Sequence, residues 1–153
     1  MRVRFTTVRG MFVVDDRTSD SVAIISDILI HPDDGVILGF FVVSLGLIPG
    51  DDLFLQTQDI VSWGTKVHVR EMGVIGPFTE LVRFTHFLEE KRTILGQRIE
   101  TLEQRTYIGR CIDIGFETKD FHLTMLYPKK FFRLQTPIPT SKIQEVTEGA
   151  IIV

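Results

Sequence analysis

Two stretches in which apolar runs flank a turn organise this chain. The first covers residues 21–43, and its two runs rich in β-branched residues are separated by Pro32-Asp33-Asp34-Gly35. This pattern predicts a strand, a tight turn and a returning strand. A weaker copy, YIGRCIDIGFETKDFHLTML, covers residues 107–126. The predicted fold class is therefore mainly all-β.

Shorter alternating segments surround the first hairpin. Residues 7–14 predict a first strand, and residues 53–60 and 66–70 predict two more, because apolar and polar side chains alternate there. The apolar positions change parity near Asp27, which predicts a bulge or a strong bend in that strand. The first unit is expected to close near residue 74.

One helix is predicted, and it follows the Gly76-Pro77 pair. Four apolar residues then recur at helical spacing, and charged residues lie between them. We expect a helix of about 12 residues within 76–92. Phe84 and Phe87 widen its apolar face, which predicts burial on two sides.

The pattern restarts 86 residues later. Gly10 has its counterpart in Gly96, and Asp27-Ile28 has its counterpart in Asp113-Ile114. The tails, 59–69 and 142–153, correspond if the second copy holds one extra residue. This spacing indicates a diverged internal duplication. The predicted domains are residues 1–75 and 93–153, joined by the helix within 76–92.

These repeated residues carry a family resemblance. Both copies have a glycine after the first apolar turn and an Asp-Ile pair in the long strand, and the second copy has a Pro-x-x-x-Ile stretch at 139–143. The pattern resembles the PRC-barrel family, the small β-barrel of the photosynthetic reaction centre H subunit and of the ribosome maturation factor RimM. The resemblance implies two PRC-type barrels in tandem, and a role in assembly rather than catalysis.

Composition limits the classes of function. The chain has 153 residues, 44% of them hydrophobic, a net charge of −3 and one cysteine. A real core can form, and the acidic balance disfavours a general nucleic-acid binder. The single cysteine fits a reducing compartment, so we expect a cytoplasmic protein. The most apolar window, 36–49, is too short and too interrupted to span a membrane.

No catalytic, metal or cofactor site is expected from the residue pattern. Cys111 lies within a predicted strand, where burial usually makes a thiol inert. Two groups resemble parts of a metal site but are interpreted as a turn and as a solvated helix face: His31 with Asp33 and Asp34, and His86 with Glu89 and Glu90.

Two places are candidates for contact with a partner. Adjacent residues of a strand face opposite ways, so one ring of the Phe40-Phe41 pair is expected to face outward. Such a ring suits contact with a second surface, and burial under the helix or the other barrel is the alternative. Basic and aromatic residues alternate in 127–133, as in a backbone-binding and base-stacking loop. The same segment also fits a hairpin loop with protective edge lysines. The candidate residues are Phe40, Phe41, Tyr127, Lys129, Lys130, Phe131 and Arg133.

We therefore predict a non-enzymatic adaptor that presents a β-barrel surface to a protein partner, which can be a second copy of the chain. The alternative is an RNA- or ribosome-associated maturation factor that uses the loop at 127–133. Salt separates these hypotheses, because binding to phosphates weakens steeply with ionic strength.

Overall fold

A computed structural model describes residues 1–153, and the protein is mostly β, with 46% strand and 16% helix. The first eight strands are β1 Arg2–Arg4, β2 Phe12–Asp15, β3 Asp20–Ile30, β4 Ile37–Ser44, β5 Leu53–Gln56, β6 Ile60–Trp63, β7 Val67–Val69 and β8 Gly76–Pro77. The other seven are β9 Arg98–Glu100, β10 Tyr107–Glu117, β11 His122–Lys130, β12 Arg133–Leu134, β13 Ile138–Pro139, β14 Glu145–Val146 and β15 Ile151–Ile152. The helices are α1 Phe5–Val8 and α2 Val82–Glu90, with 3-10 turns at Thr57–Asp59, Met72–Val74, Phe78–Glu80 and Thr140–Lys142.

The chain divides into two compact units, and neither is one continuous segment. The N-terminal unit comprises Thr7–Leu29 and Ile37–His86. The C-terminal unit comprises Met1–Thr6, Ile30–Val36 and Phe87–Val153. The sheets are curled and include a half-barrel. No helix in the structure combines the length and the apolar character needed to cross a membrane.

The N-terminal unit holds a seven-stranded sheet in the order β6-β7-β2-β3-β4-β5-β8. β2 pairs with β3 antiparallel and with β7 parallel, so the end of the first repeat returns beside its beginning. Large side chains fill the curl of the sheet because the strands alternate inward and outward positions. The fully buried ones in this unit include Ile25, Ile37, Phe40, Leu53, Phe54 and Leu55.

The C-terminal unit holds an eight-stranded sheet whose main order is β12-β11-β10-β9-β15-β14. Two further strands attach to it: β1 pairs with β10, and β13 pairs with β11. β15 pairs with β9 in parallel, as β7 does with β2 in the other unit. The fully buried large side chains of the C-terminal unit include Ile99, Ile114, Phe116, Leu126 and Ile151.

The backbone hydrogen bonds of the first repeat recur 86 residues later. Gly10 N donates to Ile25 O at 2.8 Å, and Gly96 N donates to Cys111 O at 2.6 Å. Both glycines have positive φ, 94° and 85°, which a residue with a Cβ adopts at a cost. Further pairs at the same offset are Met11 N to Val8 O with Gln97 N to Ile94 O, and Ile25 N to Met11 O with Cys111 N to Gln97 O.

Several element bounds differ from those that the sequence predicted. Residues 7–14 are not one strand, because α1 takes Phe5–Val8 and the chain turns through Gly10 before β2 begins at Phe12. The segment predicted at 53–60 ends as a strand at Gln56, where a 3-10 turn begins. The predicted helix of 12 residues is a 3-10 turn followed by α2, which has nine residues.

Candidate functional site

An exposed hairpin in the C-terminal unit is the surface feature that differs most from an ordinary solvated face. β11 and β12 pair antiparallel, with Lys129 opposite Leu134 and Lys130 opposite Arg133. Only Phe131 and Phe132 connect the two strands. We call residues 129–134 the basic tip.

The apolar side chains of the basic tip have almost no cover. Phe131 is 83% exposed, Phe132 is 95% exposed and Leu134 is 70% exposed. Scattered single apolar residues are normal on a surface, but three within four positions of one hairpin form a local patch. Two phenylalanines are also an unusual choice for a tight turn, where glycine, asparagine and aspartate dominate.

The backbone conformation of the turn is also unusual for an aromatic residue. Phe131 has a φ of 56°, in the left-handed region that bulky residues rarely adopt. Glycine or asparagine would adopt it at a lower cost. An exposed aromatic ring in such a conformation gains nothing from core packing, so this choice of residue points to a contact outside the fold.

Cations surround the exposed rings. Lys129, Lys130 and Arg133 belong to the tip, and Arg110 lies directly across the sheet from Lys129. None of these four is in an ion pair. The Lys130 ammonium lies 5.9 Å from the centre of the Tyr107 ring, and Arg110 Nη1 donates to Gly96 O at 3.1 Å. The tip is therefore locally positive on a chain of net charge −3.

Tyr127 does not join the basic tip. It lies within β11, opposite Asp113, and the guanidinium of Arg4 stacks 3.9 Å from the centre of its ring. The segment predicted as a loop at 127–133 is thus a strand as far as Lys130. Sequence reasoning missed Arg110 and Leu134, although an exposed arginine in an otherwise apolar strand was the available signal for the first.

The structure places Phe40 and Phe41 among packed side chains. Phe40 is fully buried, and its ring lies 5.6 Å from that of Trp63. Phe41 is half-buried, with ring centres 5.0 Å from Phe54 and 5.1 Å from Phe78. The predicted outward ring therefore meets an aromatic cluster of its own unit.

The acidic turn after β3 is held by ion pairs. Arg92 Nη1 lies 2.6 Å from Asp33 Oδ1, and Arg92 Nη2 lies 2.7 Å from Glu90 Oε2. The hydrogen bond from Arg92 lowers the pKa of Asp33 and raises the pKa of the guanidinium. His31 stacks edge-on against Phe87 at 4.9 Å. No group of three or more histidine, cysteine or acidic side chains is arranged to hold a metal ion.

Cys111 is enclosed in β10. Its thiol lies 3.3 Å from Asp113 O, and burial raises its pKa to about 12. The thiolate, which is the nucleophilic form, is therefore scarce at neutral pH.

No protein-family model matches the chain, and comparison with curated proteins gives no match. The resemblance to the PRC-barrel family thus rests on the chain's own repeated residues.

Proposed function

We propose that this protein is a non-enzymatic adaptor of the reducing cytoplasm, built from two PRC-type barrels in tandem, and that it docks a protein partner through the basic tip. The observation that carries the proposal is the exposure of Phe131, Phe132 and Leu134 beside four cations without ion pairs. Aromatic and arginine side chains are the residues that most often anchor protein interfaces. The recurring hydrogen bonds support the tandem arrangement.

One observation favours the RNA alternative. Two exposed rings next to Lys129, Lys130 and Arg133 can stack on bases while the cations meet phosphates. Against it, the rings lie in a two-residue turn and not on the face of a sheet, where successive bases stack in the common RNA-binding modules. Protein docking is therefore the leading proposal.

Cross-linking in the source cell tests this function. The wild type is compared with Phe132→Asp and with Leu102→Asp, a matched control because Leu102 is also an exposed apolar residue of the C-terminal unit. We expect Phe132→Asp to lose cross-linked protein at least tenfold, and Leu102→Asp to keep it. Equal capture by all three forms would overturn the proposal. Loss of the captured material on nuclease treatment would favour RNA.

A further inference from the structure

The two repeats carry opposite charge at the same point of the fold. Thr57 Oγ1 donates to Ile37 O at 3.1 Å, and Thr140 Oγ1 donates to Leu123 O at 3.0 Å. These bonds align β4 with β11 at the offset of 86, so the loop after β4 corresponds to the turn after β11. The loop after β4 contains Leu45, Leu47, Asp51 and Asp52, all exposed, whereas the turn after β11 belongs to the basic tip.

Leu47 of the loop after β4 lines a groove in the N-terminal unit. The groove has a volume of about 400 Å³, and we call it the acidic groove. Its apolar lining is Val22, Leu47 and Met72, and the charged side chains that line it are Asp15, Asp20, Glu71 and Arg17. Arg17 is already paired with Glu71, so the groove keeps an excess of negative charge.

The basic tip and the acidic groove match in chemistry. A phenylalanine buries about 150–250 Å² when it enters an apolar site, so one ring suits a groove lined by leucine, valine and methionine. Lys129, Lys130 and Arg133 would then face the carboxylate of Asp20 and the remaining negative charge of the groove. Charge complementarity of this kind fixes orientation and partner choice more than it adds affinity.

We propose that the basic tip of one copy docks in the acidic groove of a second copy. The proposal rests on the proposed function, because it names the protein that the tip binds. The two surfaces differ, so the contact is heterologous, and repetition of it links copies head to tail into a ring or an open chain. An anionic membrane or an RNA would engage the tip but would leave the acidic groove without a role.

The contact is expected to be weak. Two phenylalanines, one leucine and a short loop bury less than the roughly 800 Å² per partner of a standard interface. We therefore expect a Kd on the order of 10–100 µM at physiological salt. Raising the salt from about 0.1 M to about 1 M shortens the Debye length from about 10 Å to about 3 Å and should weaken association severalfold.

Mixing two variants, each with one of the two surfaces disabled, is the decisive test. Phe132→Asp disables the tip and leaves the groove intact, whereas Leu47→Asp disables the groove and leaves the tip intact. Analytical ultracentrifugation should show each variant as a 17.5 kDa monomer. Their equimolar mixture should form a dimer of twice that mass and nothing larger. Each pair of variants has one intact tip and one intact groove, and the dimer uses both. The wild type should form a concentration-dependent series of larger species.

Two results would overturn the proposal. One is a wild type that stays monomeric up to about 1 mM, a concentration at which a contact with a Kd of about 100 µM is mostly formed. The other is a mixture that stays monomeric although the wild type associates, because a tip-to-tip contact cannot be rescued by mixing. Circular dichroism of both variants and of Leu102→Asp checks that the fold is kept.

The outcome separates this inference from the adaptor function. If the purified chain is monomeric but Phe132→Asp still loses cross-linked protein in the cell, the partner is another protein and only the self-docking inference fails. If the monomeric wild type binds vesicles of phosphatidylserine and phosphatidylcholine, or a single-stranded RNA, and Phe132→Asp does not, the tip serves that ligand and the self-docking inference is wrong.

Discussion

Asp27 and Asp113 occupy the same position in the two repeats and have opposite surroundings. Each accepts a hydrogen bond from the next backbone N–H, Ile28 N at 2.8 Å and Ile114 N at 2.9 Å. Asp27 is exposed, and its carboxylate has no ion pair. Asp113 is only 1% exposed.

The first strand of the chain accounts for the difference. β1 pairs with β10, and this brings Arg4 Nε to 2.8 Å from Asp113 Oδ2. Thr6 adds its backbone N–H at 3.0 Å and its hydroxyl at 2.7 Å. The aspartate accepts the same local backbone hydrogen bond in both repeats, and in one of them it is also the attachment point for a distant segment. A duplicated sequence can keep its local bonds while its long-range bonds diverge.

The largest expected effect comes from removing the buried carboxylate. Asp113→Ala leaves Arg4 and both Thr6 donors without their acceptor, and we expect a loss of about 3 kcal/mol in the free energy of unfolding. Asp27→Ala loses one local hydrogen bond and should cost about 0.5 kcal/mol. Urea denaturation measures both. Equal losses would show that the attachment of β1 contributes nothing to stability.

A smaller effect is expected at Gly109 and Ala23, which also share one repeat position. Gly109 has a φ of 154°, and a Cβ there would lie 2.8 Å from the carbonyl oxygen of Lys129. Gly109→Ala should therefore destabilise by about 2 kcal/mol, because backbone has to shift. Ala23→Gly, which removes a methyl group where the other change adds one, should cost about 1 kcal/mol. Unchanged urea midpoints for Gly109→Ala would contradict the close approach of β10 and β11.

The smallest effect concerns Asp15 and its counterpart Thr101. Asp15 accepts hydrogen bonds from Met72 N at 2.9 Å and Arg17 N at 2.7 Å, and the bond from Met72 is the main cause of its lowered pKa. A carboxyl with a lowered pKa stabilises the fold above its unfolded pKa of about 3.9 and loses that contribution as the pH falls.

The difference in free energy of unfolding between the wild type and Asp15→Asn should therefore be largest at neutral pH and should shrink below about pH 4. Thr101 Oγ1 accepts from Thr106 N at 3.0 Å without any charge. Thr101→Val is thus the control, and its difference in free energy of unfolding from the wild type should not vary with pH over this range. Thermal melts from pH 3 to pH 7 make the measurement, and parallel curves for both variants would contradict the assignment.

Much of the site lay beyond sequence reasoning. The alternation of Lys129, Lys130, Phe131 and Arg133 identified the tip, since a basic-aromatic run is visible without a fold. Tyr127 was grouped with them but belongs to the Arg4 and Asp113 cluster. Periodicity says that a residue faces one side of a strand, and not what covers that side. For the same reason the alternation predicted that one ring of the Phe40-Phe41 pair faces outward but not what covers it; that ring is Phe41, and Phe54 and Phe78 lie against it.

The sequence by itself determined the two hairpins, the short helix between them and the offset of 86 residues. These follow from short-range physics, because turn residues, side-chain alternation and bonds between near neighbours need no distant partner. Only the tertiary structure decided that β1 pairs with β10, that Arg110 lies beside Lys129 and that Asp113 is buried while Asp27 is not. Those facts depend on which distant strand completes each edge, and a pattern of apolar positions does not specify that partner.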